Sequence, residues 1–133
     1  MLRTWQVGAM VLLGAALWAL VTANIRLDPA GSLDPVRGWT PFVTAPLGGL
    51  LSVWLCKRVG RLSGEQLLPG VAVVGAVAMM LDGAALKGFP SLYGFDDTAL
   101  RLNAAGLLWG YGVAFGVAAI WAAALRRPER SPV

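Results

Sequence analysis

Four apolar stretches, at residues 4–25, 41–58, 66–87 and 97–125, fill most of a chain of 133 residues. About 20 apolar residues in a helix cross a hydrocarbon core of roughly 30 Å. Within hydrocarbon every backbone amide and carbonyl needs an internal partner, which a helix supplies. The chain is therefore expected to form one all-α domain over residues 1–133. Its expected architecture is an integral-membrane four-helix bundle, up-down-up-down, with short loops.

The first run has the look of a signal peptide, and Val21-Thr22-Ala23 would pass as a cleavage site. Its apolar core exceeds the roughly 7–15 residues of a signal h-region, so a retained membrane helix is expected. The second run contains Pro46, Gly48 and Gly49 and is the shortest, which predicts a kinked or partly re-entrant entry. Ser63 and Gln66 fit a capping box for the third helix, and Asp96 or Asp97 can cap the fourth. The tail, residues 126–133, is basic and expected to fray.

Apolar residues make up 57% and charged residues 14% of the chain, outside the usual range of soluble domains. The basic residues gather at the ends of the apolar runs and form no stripe, so despite a pI near 10.0 no nucleic-acid partner is expected. Histidine is absent and Cys56 is the only cysteine. That removes His-ligated haem, the usual zinc sites and any intrachain disulfide. No metal and no cofactor is expected, and Cys56 reads as a small apolar residue.

With four crossings, Arg3, Lys57, Arg58, Arg61, Arg126, Arg127 and Arg130 share one face. Arg26, Arg37, Lys87 and Arg101 lie on the other, offset by Asp28, Asp34, Asp96 and Asp97. Retention of basic residues in the cytoplasm predicts a multi-pass protein of a bacterial inner membrane with both termini cytoplasmic. Trp5, Trp54 and Trp121 then fall near the inner interface and Trp39 near the outer one. Trp18 and Trp109 lie deeper and read as packing residues.

Asp82, inside the third run, is the residue that most invites a chemical role. A carboxylate at mid-helix depth costs on the order of 2.5–3.5 kcal/mol on insertion scales. Gly75, Ala78 and Ala85 lie on its face of the helix, so another helix can approach closely there. Asp82 is thus expected to face the bundle. Thr22, Asn24, Thr44 and Asn103 fall at a similar depth, and Lys87, Arg26 and Arg101 could bend down from the rim as charge partners. The expectation is a polar intramembrane cluster centred on Asp82. The bland alternative is structural: hydrogen bonds to neighbours and one basic partner.

Gly106 with Gly110, and Gly112 with Gly116, form small-xxx-small pairs in the fourth run. Together with Gly75 and Ala78 they are expected to serve helix packing, within the monomer in preference to a dimer seam. The Leu-Asp-Pro turns at Asp28 and Asp34 and the Asp96-Asp97 pair offer too few oxygens for a hard cation, so loop capping is expected.

Met80-Leu81-Asp82-Gly83, then Phe89-Pro90, then Leu107-Leu108-Trp109-Gly110-Tyr111-Gly112 resemble the signature of an uncharacterised bacterial family of small four-helix membrane proteins. The resemblance covers residues 80–112 in sequence and the first half of the chain only in helix layout and length. It implies an all-helical membrane bundle with no assigned activity. The chain is also similar in size to the small multidrug exporters, which carry a membrane glutamate in their first helix. Here that helix has Arg3 and Gln6 near its start and no acidic residue.

With no nucleophile–base pair or metal set visible, enzymatic function is not expected. The leading expectation is a protein that works by helix–helix contact, as an accessory subunit or stabiliser of a membrane assembly. Its expected partners are the lipid bilayer and a membrane protein or a second copy. The alternative is a small proton- or ion-coupled transporter using Asp82.

Overall fold

The computed structural model describes residues 1–126; the tail, including Arg127 and Arg130, lies outside the described residues. Four helices form: α1 (Thr4–Leu27), α2 (Thr40–Gly60), α3 (Gly64–Gly88) and α4 (Asp97–Leu125). All four are long and apolar enough to cross a membrane, and the fold is an all-α four-helix bundle.

Hydrogen bonds at the two ends fix the alternation of direction. At one end, here the terminal end, the Gln6 carboxamide donates to Gly60 O (2.8 Å) and pairs with Gln66 at 3.3 Å. Gln66 in turn donates to Met1 O (2.8 Å). The start of α1, the end of α2 and the start of α3 are thereby tied together. Arg126, at the end of α4, reaches Glu65 O (3.4 Å) in the same region. The other end, the loop end, holds residues 28–39 and 89–96.

The caps follow from local chemistry. Gln66 accepts from the Ser63 amide at 3.2 Å, the backward arm of the capping box at the expected place. Gln6 does the same for the Arg3 amide at 2.8 Å. Asp96 caps α4 by accepting from Ala99 N at 2.8 Å, beside the positive end of the helix dipole. In the loop between α1 and α2, Asp34 accepts from Val36 N and Arg37 N, both at 2.8 Å. Asp28 pairs with Arg37. The Leu-Asp-Pro segments thus act as turn and pairing elements.

One expectation about α2 changes. The helix runs without a break for 21 residues, about 31 Å at 1.5 Å per residue, so no re-entrant segment forms. The Arg37–Trp39 3-10 turn feeds directly into it, supplying length beyond the apolar run. Pro46 lies inside the continuous helix, and its consequence appears below.

Packing does not follow chain order. α1 lies mainly against α3 and α2 mainly against α4, while α3 and α4 join the two pairs. α1 meets α2 only sparsely. The close approach of α1 to α3 rests on Gly14, where a Cβ would sit 2.8 Å from Val74 O. The hydrophobic core occupies the terminal half, built from Met10, Val53, Leu67, Val71, Ala118 and Ala122. The loop half is looser, and that is where the polar groups collect.

Candidate functional site

Asp82 lies six residues before the end of α3, about 9 Å below the loop end. It belongs to a buried face of Val71, Val74, Gly75, Ala78 and Ala85, at helical spacing. Only 5% of Asp82 is exposed, so the side chain faces the bundle. Three elements then deliver hydrogen-bond donors to it. The Trp18 indole N–H, from α1, donates to Oδ1 at 3.0 Å. The Tyr93 hydroxyl, from the connector between α3 and α4, donates to the same oxygen at 2.6 Å. The Tyr111 hydroxyl, from α4, donates to Oδ2.

Behind this first ring, Thr22 Oγ1 lies 3.4 Å from the Tyr93 hydroxyl, and Trp18 Nε1 lies 3.2 Å from it. The Tyr93 side chain is fully buried. Burial, and then the neighbouring Asp82 carboxylate, push its hydroxyl above the usual tyrosine value. Tyr93 therefore stays a donor. Its backbone carbonyl accepts from the Asn103 carboxamide, which also reaches Pro29 O at 3.4 Å. Asn103 thereby fixes the connector that carries Tyr93. No buried side-chain polar atom among the described residues lacks a partner.

The ring forms one wall of a cavity of about 560 Å³ between the helices. That volume falls within the range of small-molecule sites. The lining runs from Asp28, Arg37 and Thr40 at the loop end down to Cys56 and Val71. Most of it is apolar or small, including Leu17, Val21, Gly48, Gly49, Gly75 and Phe115. The terminal-half core closes the bottom. The sparse contact of α1 with α2 leaves the cleft bounded loosely on that flank.

The expected cluster is thus brought together only in part. Thr22 joins Asp82 through Tyr93. Asn103 acts one step away through the Tyr93 backbone. Asn24 and Thr44 line the cavity without touching Asp82, and Thr44 donates to Thr40 O of its own helix at 2.8 Å. Lys87, Arg26 and Arg101 form no ion pair with Asp82 among the described residues, where Arg37 with Asp28 is the one salt bridge. The physical reason is that three neutral donors already satisfy the carboxylate, without the cost of dragging a cation out of water.

Trp18, Tyr93 and Tyr111 are the participants that sequence reasoning missed. Trp18 was expected only to pack, yet its N–H binds the carboxylate. A usable signal existed: the chain has two tyrosines, and both are on Asp82. A hydroxyl buried in an apolar segment needs a partner, and Asp82 was the obvious acceptor.

The glycine expectations also divide. Gly75 is a close-approach position, since a Cβ there would meet the Phe115 ring at 2.6 Å, and Ala78 is buried. Gly106 has Pro41 at 3.9 Å. Around Gly110, Gly112 and Gly116 nothing lies within 4 Å of an added Cβ, so these three pack against no helix of the monomer. Gly110 lines the cavity, whereas Gly112 and Gly116 are exposed on the outward face of α4. The contacts expected of them within the monomer are made by Gly14 and Gly49 instead. A Cβ on Gly49 would lie 3.4 Å from Ala114 Cα of α4.

No protein-family model, curated protein or solved structure matches the chain. The fold and site together define an apolar four-helix bundle with an acid on one wall of the cleft between its helices.

Proposed function

We propose that the protein is a small, non-enzymatic carrier of the inner membrane, in which Asp82 exchanges a proton or a cationic ligand with the interhelical cavity. The observation that carries this reading is the carboxylate itself: buried, on a cavity wall, and without a cationic partner among the described residues. Trp18, Tyr93 and Tyr111 satisfy its oxygens with neutral groups, so no fixed cation competes with a ligand for it. An ionisable group that faces a cavity inside a membrane is a functional-site hypothesis by default. The cavity's other charges, Asp28 and Arg37, neutralise one another at the mouth. The cleft therefore presents one uncompensated negative group among apolar walls, which suits a proton or an apolar organic cation.

Basic residues on the terminal end support an orientation with both termini cytoplasmic, so that the cleft opens outward. The test is reconstitution into vesicles with an internal pH dye and tetraphenylphosphonium as an apolar monovalent cation. Wild type should show counter-movement of protons that Asp82→Asn abolishes. Equal proton movement in the two proteins, or none in either, would refute the carrier reading.

A second reading, as an accessory subunit or stabiliser acting by contact, is favoured by one observation. The small-residue surface at Gly112 and Gly116 faces outward with open space around it. Such a surface admits a helix from a partner or a second copy. Gly116→Leu should then disperse the native assembly seen by mass spectrometry in mild detergent. An unchanged assembly would count against contact through this face.

A further inference from the structure

A second hollow lies at the terminal end, away from Asp82. It is lined by Trp54, Lys57, Arg58, Arg61, Leu62 and Trp121. Three of these side chains are cationic, two are indoles and none is acidic. The last turns of α2 place Trp54, Lys57 and Arg58 at helical spacing, and the end of α4 supplies Trp121. The Lys57 ammonium lies 5.9 Å from the Trp121 ring centroid, and the Arg58 guanidinium 5.9 Å from that of Trp54. These are cation–π distances, and they hold two charges beside rings of the kind that settle at headgroup level.

Lys57 and Arg58 have an ordinary explanation. They sit in the last turn of α2, where cations suit the negative dipole end. Arg61 does not. It is the one non-glycine residue with positive φ among the described residues, at 47°. It takes the left-handed position that ends α2, with Leu62 N bonding back to Lys57 O at 3.1 Å. Glycine is the favoured residue there because a Cβ is strained in that conformation. The chain has 17 glycines, one of them at the preceding position, Gly60, yet it places a cation at the strained site. An outlier of this kind points to use of the side chain.

We infer that this hollow binds the phosphate of an anionic phospholipid. Lys57, Arg58 and Arg61 supply the positive charge, while Trp54 and Trp121 flank the glycerol region. Basic pockets between helices at one membrane surface are suited to acidic headgroups. The inference is independent of the Asp82 reading and survives its failure.

The test is thermal unfolding of the full chain in nanodiscs of phosphatidylcholine and of an equal mixture with phosphatidylglycerol. Wild type should melt higher in the mixture, and inorganic phosphate added to phosphatidylcholine discs should not reproduce the shift. Arg61→Gly should melt at or above wild type in phosphatidylcholine, because strain is relieved, and should lose most of the phosphatidylglycerol shift. Arg3→Gln, a cation at the same end outside the hollow, should keep it. No shift in wild type, an undiminished shift in Arg61→Gly, an equal loss in Arg3→Gln, or a full shift with free phosphate would each overturn the proposal.

Discussion

The indole N–H of Trp109 in α4 donates at 3.1 Å to the carbonyl of Phe42 in α2, the acceptor that Pro46 leaves without an amide. Residue 46 would ordinarily donate to residue 42 four positions earlier, and proline cannot. The second internal proline repeats the arrangement. Pro69 vacates Glu65 O, and Arg126 of α4 reaches that carbonyl at 3.4 Å. α4 therefore supplies side-chain donors to both carbonyls that prolines have freed. In hydrocarbon an orphan carbonyl is costly, which explains why a half-exposed tryptophan is aimed at backbone.

This pairing predicts a coupling that can be measured. Trp109→Phe should lower stability by about 1 kcal/mol. In a Pro46→Ala background the helix restores its own amide, and the same substitution should cost close to nothing. Denaturant unfolding in mixed micelles across the four proteins gives the coupling. Equal costs in both backgrounds would contradict the assignment.

The Asp82 ring predicts an asymmetry among its donors. Among the described residues Tyr111 is the only side chain on Oδ2, whereas Oδ1 accepts from both Trp18 and Tyr93. Tyr111→Phe should therefore destabilise by about 1.5–3 kcal/mol, the range for hydrogen bonds to charged groups. Trp18→Phe should cost less at the carboxylate, since Tyr93 remains on that oxygen. Thermal melts in one detergent compare them. A smaller loss for Tyr111→Phe than for Trp18→Phe would contradict this ordering.

The glycines predict a contrast between two helices. A Cβ on Gly14 would press on the Val74 carbonyl at 2.8 Å and on Val77 Cβ at 3.1 Å, and backbone cannot yield as a side chain can. Gly14→Ala should cost about 1–3 kcal/mol by forcing α1 from α3. Gly116→Ala meets nothing and should be neutral or gain up to about 1 kcal/mol in helix propensity. Parallel thermal melts decide it.

Asp34 gives a pH prediction outside the membrane. The amides of Arg37 and then Val36 hold its carboxyl below the ordinary aspartate value of 3.8. A lowered folded-state pKa contributes order that is complete above the ordinary value and lost as pH falls through the lowered one. Protection of the Val36 and Arg37 amides against hydrogen exchange should fall in that acid window. In Asp34→Asn the protection should no longer vary with pH there.

The span count and the inward turn of Asp82 were legible because each rests on local pattern: apolar run length for one, Gly75, Ala78 and Ala85 on the same helix face for the other. The identity of the donors was not. Trp18 lies 64 residues from Asp82, and Tyr93 reaches it from a connector held by Asn103. No periodicity within a helix encodes such a meeting. Formal charge drew attention to Lys87, Arg26 and Arg101, whereas neutral donors satisfy a buried acid at lower desolvation cost. The α1–α3 and α2–α4 pairing was likewise hidden, because loop length limits which helices can be neighbours without choosing among them.

The central claim is that the Asp82 carboxylate exchanges charge with whatever occupies the cleft. Isothermal titration of tetraphenylphosphonium into purified wild type and Asp82→Asn reads it directly. Wild type should bind the cation, and Asp82→Asn should bind it at least about tenfold more weakly. No binding in wild type, or equal affinity in the two proteins, would contradict the account.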